Sequence, residues 1–240
     1  MNVGELFSKD NIKEFIIGTI GLMIIFIIYT MYYVVANIHF APIRTLFTPL
    51  DYMIPLIPEF LFIYLFVFYT FIFFVIISTQ YYLKSYRIPF IVIFAIVALT
   101  SYGIYTIFPV SMIRPSVTPS DFWTSLLALL YSSDPPVNCF PSLHAAYSTM
   151  GAYIVWHMNK KWGKYIGWPT AIAVMISTLF VRQHVIVDEI AGFLLGFIVP
   201  YIVLKKFDLK PESEQINLNY ILIILIVSIL IMLLFAFDVI

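Results

Sequence analysis

The sequence predicts an all-α fold: a polytopic membrane helical bundle with a six-span core and a seventh, C-terminal transmembrane helix. Three observations predict it. Of 240 residues, 62% are hydrophobic and only 11% are charged, against about 25% charged in a soluble domain. Seven apolar runs reach or approach the roughly 20 residues that carry a helix across a bilayer core. None of these runs alternates polar with apolar residues, as a membrane strand of about 9–11 residues must. Helices also satisfy their own backbone groups in lipid.

The composition excludes other classes. Thirteen Lys+Arg balance thirteen Asp+Glu, so there is no basic footprint for nucleic acid. A polar disordered chain is excluded by the apolar content. The single cysteine, Cys139, permits no internal disulfide, and no Cys/His spacing suits a zinc site.

Taken in order, the runs cover 15–36, 60–79, 88–108, 142–156, 166–181, 184–204 and 220–240. The first is too long for a cleaved signal and lacks a small-residue cleavage site after it, so it is expected to be a permanent span. The fourth and fifth are short, so their ends should involve polar residues at the interface. With the N-terminus in the cytoplasm, the inner segments hold Lys9, Lys13, Lys84, Arg87, Lys160, Lys161, Lys164, Lys205, Lys206 and Lys210. The outer segments hold only Arg44, Arg114 and Arg182. Ten against three fixes the expected orientation, with the C-terminus of a seven-span chain outside. Both long outer loops, 37–59 and 109–141, are rich in proline. In the second, Ser120 is the expected N-cap of a short surface helix ending near Tyr131, with Trp123 and Tyr131 at the membrane interface.

Polar residues close to membrane spans are costly and are therefore functional candidates. In Cys139-Phe140-Pro141-Ser142-Leu143-His144, Pro141 is expected where a helix begins, at a position needing no amide donor. Ser142 and His144 then fall in the first turn, where free amides and the helix dipole favour an anion. In Arg182-Gln183-His184-Val185-Ile186-Val187-Asp188, His184 and Asp188 stand four apart and share a helix face. A carboxylate on one imidazole nitrogen fixes the tautomer and makes the other nitrogen a better nucleophile or base. Arg182 and Arg114 supply permanent charge suited to bidentate phosphate contact. Taken singly, each residue also fits a structural role: an interfacial His, a His–Asp pair tying two helices, a solvated Arg. Their coincidence at one membrane level is what points to a site.

The order Arg114-Pro115, then Pro141-Ser142-Leu143-His144, then His184-x-x-x-Asp188 resembles the type 2 phosphatidic acid phosphatase superfamily of membrane lipid phosphatases and phosphotransferases. The resemblance covers roughly 50–204. It implies that His184 attacks phosphorus and becomes a phosphohistidine, that Asp188 orients it, and that His144 protonates the leaving group. It also implies that Arg114 and Ser142 hold the phosphate. Two positions depart from the family pattern: Ile107 stands where a Lys is usual and Thr178 where an Arg is usual, and Arg182 is expected to replace the latter charge. Pro-Ser-Leu-His, with Asp51…Ile54-Pro55…Ile57-Pro58, resembles the branch near inositol phosphorylceramide synthases, which moves a phospho-headgroup onto a lipid alcohol.

The expected organisation is a cytoplasmic segment 1–14, a six-span catalytic membrane domain 15–204, a cytoplasmic linker 205–215 and an added helix within 216–240. The expected substrate is a lipid phosphate or polyprenyl diphosphate, with no metal, no cofactor and no nucleic acid. Three readings compete: a lipid phosphatase, a phosphotransferase with the same site, and a non-enzymatic membrane carrier. A carrier should place charges near the middle of its spans, whereas these charges lie near the outer ends. Gly192 and Gly196 are expected to let another helix of the same chain approach closely. Glu189, turned about 100° from Asp188, is expected to be a helix–helix or interfacial contact. Cys139, which lacks an orienting partner, is not expected to be a nucleophile.

Overall fold

The computed structural model describes residues 9–35 and 38–209, together with Ile226 and Leu230. The described elements are helical and no strand occurs among them. Helix α1 spans Lys9–Val35. The second run forms one continuous helix over Pro58–Tyr82, in which α2, Phe68–Ile77, lies between two π-helical stretches, Phe62–Val67 and Ser78–Tyr82. Helix α3 spans Arg87–Ile107 and the short α4 spans Phe122–Ser133. Helix α5 spans Leu143–Met158, α6 spans Trp168–Phe180, and α7 spans Ile186–Lys206. A π-helical stretch at Gly163–Gly167 leads into α6.

Among the described residues, four helices are long and apolar enough to cross a membrane: Asp10–Val35, Pro58–Tyr82, Lys84–Ile107 and Ile186–Lys206. The fourth and fifth expected spans form α5, with 16 residues, and α6, with 13. At 1.5 Å per residue, α5 covers roughly 24 Å, short of the roughly 30 Å hydrocarbon core. The expected seventh span, 220–240, lies outside the described residues except for Ile226 and Leu230, both helical.

Burial explains how α5 can be short and comparatively polar. From Ala145 through Val155 every residue is buried, including Ser148 and Thr149. Helix α5 is the central post of the bundle, packed by α7, α6, α2 and α3. Its closest neighbour is α7. A Cβ added at Gly192 would stand 2.3 Å from the Ser142 carbonyl oxygen, and one at Gly196 would stand 2.2 Å from that of Ala146. Only hydrogen fits there, so the glycine pair packs within the chain, as expected.

The helix starts differ from expectation by one or two residues, for physical reasons. Ser142 is the N-cap of α5, its Oγ accepting from the Ala145 amide at 3.2 Å. Pro141 therefore precedes the cap instead of opening the helix. In α4 the cap is Asp121, not Ser120. Its carboxylate accepts from the Thr124 amide at 2.9 Å while the Thr124 hydroxyl accepts from the Asp121 amide at 3.0 Å, a reciprocal box that serine at position 120 cannot make.

Candidate active site

The N-termini of α5 and α7 meet at one end of the bundle. The Ser142 amide donates to the Asp188 carbonyl at 3.0 Å, which locks the two helix starts together. Residue 185 at the N-cap of α7 is valine, which has no side-chain acceptor for the free amides of a first turn. Two carboxylates supply what Val185 cannot. Asp188 Oδ2 accepts from the Val185 amide at 3.1 Å, and Asp51 Oδ1 accepts from the Ile186 amide at 2.8 Å.

This junction brings the two expected histidines together from 40 residues apart. His144 Nδ1 stands 3.4 Å from His184 Nε2. On the other side of its ring, His184 Nδ1 stands 3.5 Å from Asp188 Oδ2. That distance is long for a hydrogen bond, and both His184 Nδ1 and Asp188 Oδ1 are buried without a hydrogen-bond partner. The His144 ring lies against Tyr64 and Phe68, with centroid distances of 4.5 and 4.8 Å. Tyr64 belongs to the first π-helical stretch, a local irregularity that is frequent at functional sites.

Arg114 reaches the same corner. One of its Nη groups donates to Gln183 Oε1 and contacts Asp134 Oδ2 at 2.9 Å; the other donates to the Asp134 carbonyl. Its guanidinium lies 4.8 Å from the Tyr131 ring centroid, and its Nε is buried and unpartnered. Ser142 is fully buried, with its Oγ engaged as the α5 cap.

Arg182 is placed differently from expectation. Its Nη1 donates to the Asp51 carbonyl at 2.7 Å and its Nη2 donates to the carbonyl of Ile54. It therefore braces the loop before α2 instead of presenting a free fork to an anion. Its backbone is left-handed, with φ of 52°, so the chain turns sharply between α6 and α7. Thr178, at the position where the family pattern has arginine, is buried, and its hydroxyl donates to the Met175 carbonyl at 2.6 Å.

Three further residues bear on the site. Gln183, 4% exposed, connects Arg114 to the His184 turn; only its adjacency to His184 marked it in the sequence. Asp51 is 1% exposed and also accepts from the Thr48 amide and hydroxyl at 2.7 and 2.6 Å. Burial pushes the Asp51 carboxyl up, but the Thr48 and Ile186 hydrogen bonds and the Arg182 charge outweigh this and hold it below its ordinary value. Glu189, expected to be a packing or interfacial contact, is 3% exposed, and neither of its oxygens has a hydrogen-bond partner. Cys139 is buried, and that burial pushes its thiol up, away from the thiolate a nucleophile needs. Among the described residues, no group of three or more His, Cys, Asp or Glu is placed to hold a metal ion.

Two facing histidines, a neighbouring buried carboxylate and a nearby arginine at one end of an apolar helical bundle make a cluster suited to an anionic group. The family model of the PAP2 superfamily matches residues 88–211, more than half of the chain. The protein belongs to that superfamily, whose members are generally phosphatases or phosphotransferases. No curated protein and no solved structure matches the chain.

Proposed function

We propose that the protein hydrolyses a lipid phosphate monoester or an isoprenoid diphosphate at the outer leaflet through a phosphohistidine on His184. The observation that carries this reading is the 3.4 Å approach of His144 Nδ1 to His184 Nε2, with Asp188 behind the second ring. In the first step the His184 Nε2–phosphorus bond forms and the bond from phosphorus to the leaving oxygen breaks. His144 gives its proton to that oxygen, while Asp188 keeps the hydrogen on His184 Nδ1. In the second step water attacks phosphorus, its proton passes to His144, and the nitrogen–phosphorus bond breaks. The phosphate oxygens bear most of the charge, so Arg114 and the N-terminus of α5 contribute chiefly by positioning and charge stabilisation.

The bundle would cross the membrane six times, with α5 and α6 held inside the other spans and the site under the outer leaflet. The Lys and Arg bias toward the opposite end supports this orientation. A second reading replaces water by a lipid alcohol, as in inositol phosphorylceramide synthases. The Pro141-Ser142-Leu143-His144 form of the second motif and Ile107 at the position of the usual lysine motivate it.

The test is a panel of lipid phosphates offered to purified protein, with and without alcohol acceptors, read by released phosphate and product mass. Release that is blocked by vanadate and lost in His184→Ala is expected. Wild-type release from His184→Ala would overturn the mechanism. Phosphorylated alcohol among the products would move the assignment to the second reading.

A further inference from the structure

Gln183 lies in the turn between α6 and α7, immediately before His184, and the reaction outlined above does not use it. The backbone N–H groups of Gln183 and His184 both donate to the Thr178 carbonyl, at 2.9 and 3.4 Å, which fixes this turn. The residue is 4% exposed, and its Oε1 accepts from an Nη group of Arg114. A guanidinium carries only donors, so an amide can meet it through its oxygen alone. The contact therefore settles which way the side chain faces: Oε1 toward Arg114, and Nε2 beside it with two N–H groups to give. That Nε2 is buried without a hydrogen-bond partner, and so is Arg114 Nε. The unmet groups on the Arg114–Gln183 pair are thus all donors. Buried donors without an acceptor are costly, and an anion is the ligand that relieves them.

We propose that Gln183 is a phosphate-binding residue whose Nε2 donates to an oxygen of the substrate phosphate alongside Arg114. This rests on the reading that Arg114 holds the phosphate which His184 attacks. One end of the amide is engaged by Arg114, and the other is left as an uncharged donor next to the charged one. Arg182, expected to bring a second guanidinium to the phosphate, is held instead by the carbonyls of Asp51 and Ile54. Gln183, one residue further on, supplies a second donor in its place. A neutral donor fixed before the substrate arrives stabilises charge on the phosphoryl oxygens without reorganising, as the donors of an oxyanion hole do.

The experiment uses full-length purified protein, orthovanadate titrated by calorimetry, and turnover of a lipid phosphate monoester. Gln183→Glu is the decisive variant: its carboxylate still accepts from Arg114 but has no N–H to give an anion. Vanadate binding should weaken by about tenfold or more, the loss of one hydrogen bond to a charged group. The fall in kcat/KM should be at least as large. An unchanged vanadate affinity in Gln183→Glu overturns the proposal and leaves Gln183 as a brace for Arg114. If Gln183→Glu does not fold, Gln183→Met decides, made alone and together with Arg114→Ala. A direct donor loses about tenfold in kcat/KM on either background. No further loss once Arg114 is gone marks a residue acting only through that arginine, and overturns the proposal. The two readings fail separately. Wild-type turnover in His184→Ala overturns the phosphohistidine and leaves the vanadate comparison standing, whereas equal vanadate affinity in wild type and Gln183→Glu overturns the Gln183 assignment alone. Wild type that binds no vanadate overturns both.

Discussion

The bundle carries a cluster of charge at each end, and the two are finished differently. At the end where α1 begins, Arg87 is 8% exposed. Its Nη1 donates to Glu14 Oε2 at 2.6 Å, its Nη2 to the Glu14 carbonyl at 3.2 Å, and its Nε to the Gln80 carbonyl. Lys84 adds an ion pair to the same Glu14 carboxylate at 3.5 Å. That arginine has each guanidinium nitrogen occupied, and Gln80 Oε1 is the one atom of this cluster buried without a hydrogen-bond partner among the described residues. At the other end Arg114 Nε, His184 Nδ1, Asp188 Oδ1, Gln183 Nε2 and both Glu189 oxygens are buried without partners. A satisfied polar cluster rigidifies a fold, whereas unmet hydrogen-bonding capacity in a buried site calls for an explanation. The phosphate of the proposed reaction would complete the second cluster and has no place in the first.

The sharpest way to break this contrast is to remove one member from each end. His184→Ala should lower turnover by about 10⁴-fold or more, as nucleophile removal does elsewhere, while leaving thermal stability near wild type. Arg87→Ala should do the reverse, lowering the melting temperature and the yield of folded protein. Because the two clusters lie at opposite ends of the bundle, activity per folded molecule should stay within about twofold. Turnover and thermal melts on the same preparations check both. Comparable activity losses in the two variants would erase the distinction.

Arg114 tests the open cluster with less disturbance. Arg114→Lys keeps the charge but loses the planar fork that holds Asp134 and Gln183 in place. A fall of about 10²- to 10³-fold in kcat/KM is expected. Titration with vanadate as a phosphate mimic should show matching weaker binding. An unchanged vanadate affinity would remove Arg114 from the anion site.

How much of this was legible in the sequence depends on the range of the interaction. The four-residue spacing of His184 and Asp188 is a helical contact written locally, and the Ser142 cap is equally local. The approach of His144 to His184 was foreseen through the joint motif pattern. What no local pattern could reveal is where long side chains end. Arg182 was expected on phosphate, but Asp51 and Ile54, some 130 residues away, offer it carbonyls. Asp51 itself, known only as part of a proline-rich stretch, turns out to cap α7. Glu189 was set aside because one helical step turns it away from Asp188. Its side chain proved to be buried, with neither oxygen hydrogen-bonded. The π-helical stretches flanking α2 were hidden because a uniformly apolar run carries no mark of a changed helical period.

Asp51 offers a middle-sized test of the same comparison, because it braces the open cluster from outside. Asp51→Ala should cost about 1–2 kcal/mol, the usual loss for a missing helix cap, and should slow turnover by loosening the His184 turn. Since the folded state holds this carboxyl below its ordinary value of 3.8, its stabilising contribution is fully present above that pH. The contribution drains away as pH falls further and the folded carboxyl takes up its proton. Melts recorded from pH 7 down to pH 3 should therefore show wild type and Asp51→Ala converging at the acid end. Parallel curves throughout would mean that the carboxylate is not what holds the cap.

Arg182 gives the smallest expected effect and the finest discrimination. Its two carbonyl contacts predict a bracing role, so its loss should lower stability by about 1 kcal/mol per hydrogen bond. KM for a lipid phosphate should then stay nearly constant. Because the residue sits at φ of 52°, alanine and glycine separate side chain from backbone. Arg182→Ala loses the contacts and keeps a left-handed backbone that disfavours a Cβ. Arg182→Gly loses the same contacts but suits the turn, and it should recover about 1 kcal/mol relative to alanine. A stability gap between the two variants with equal KM values assigns Arg182 to the turn and to the loop it holds. A KM raised equally in both, by tenfold or more, would return this arginine to the phosphate, and the site would then have two guanidinium groups instead of one.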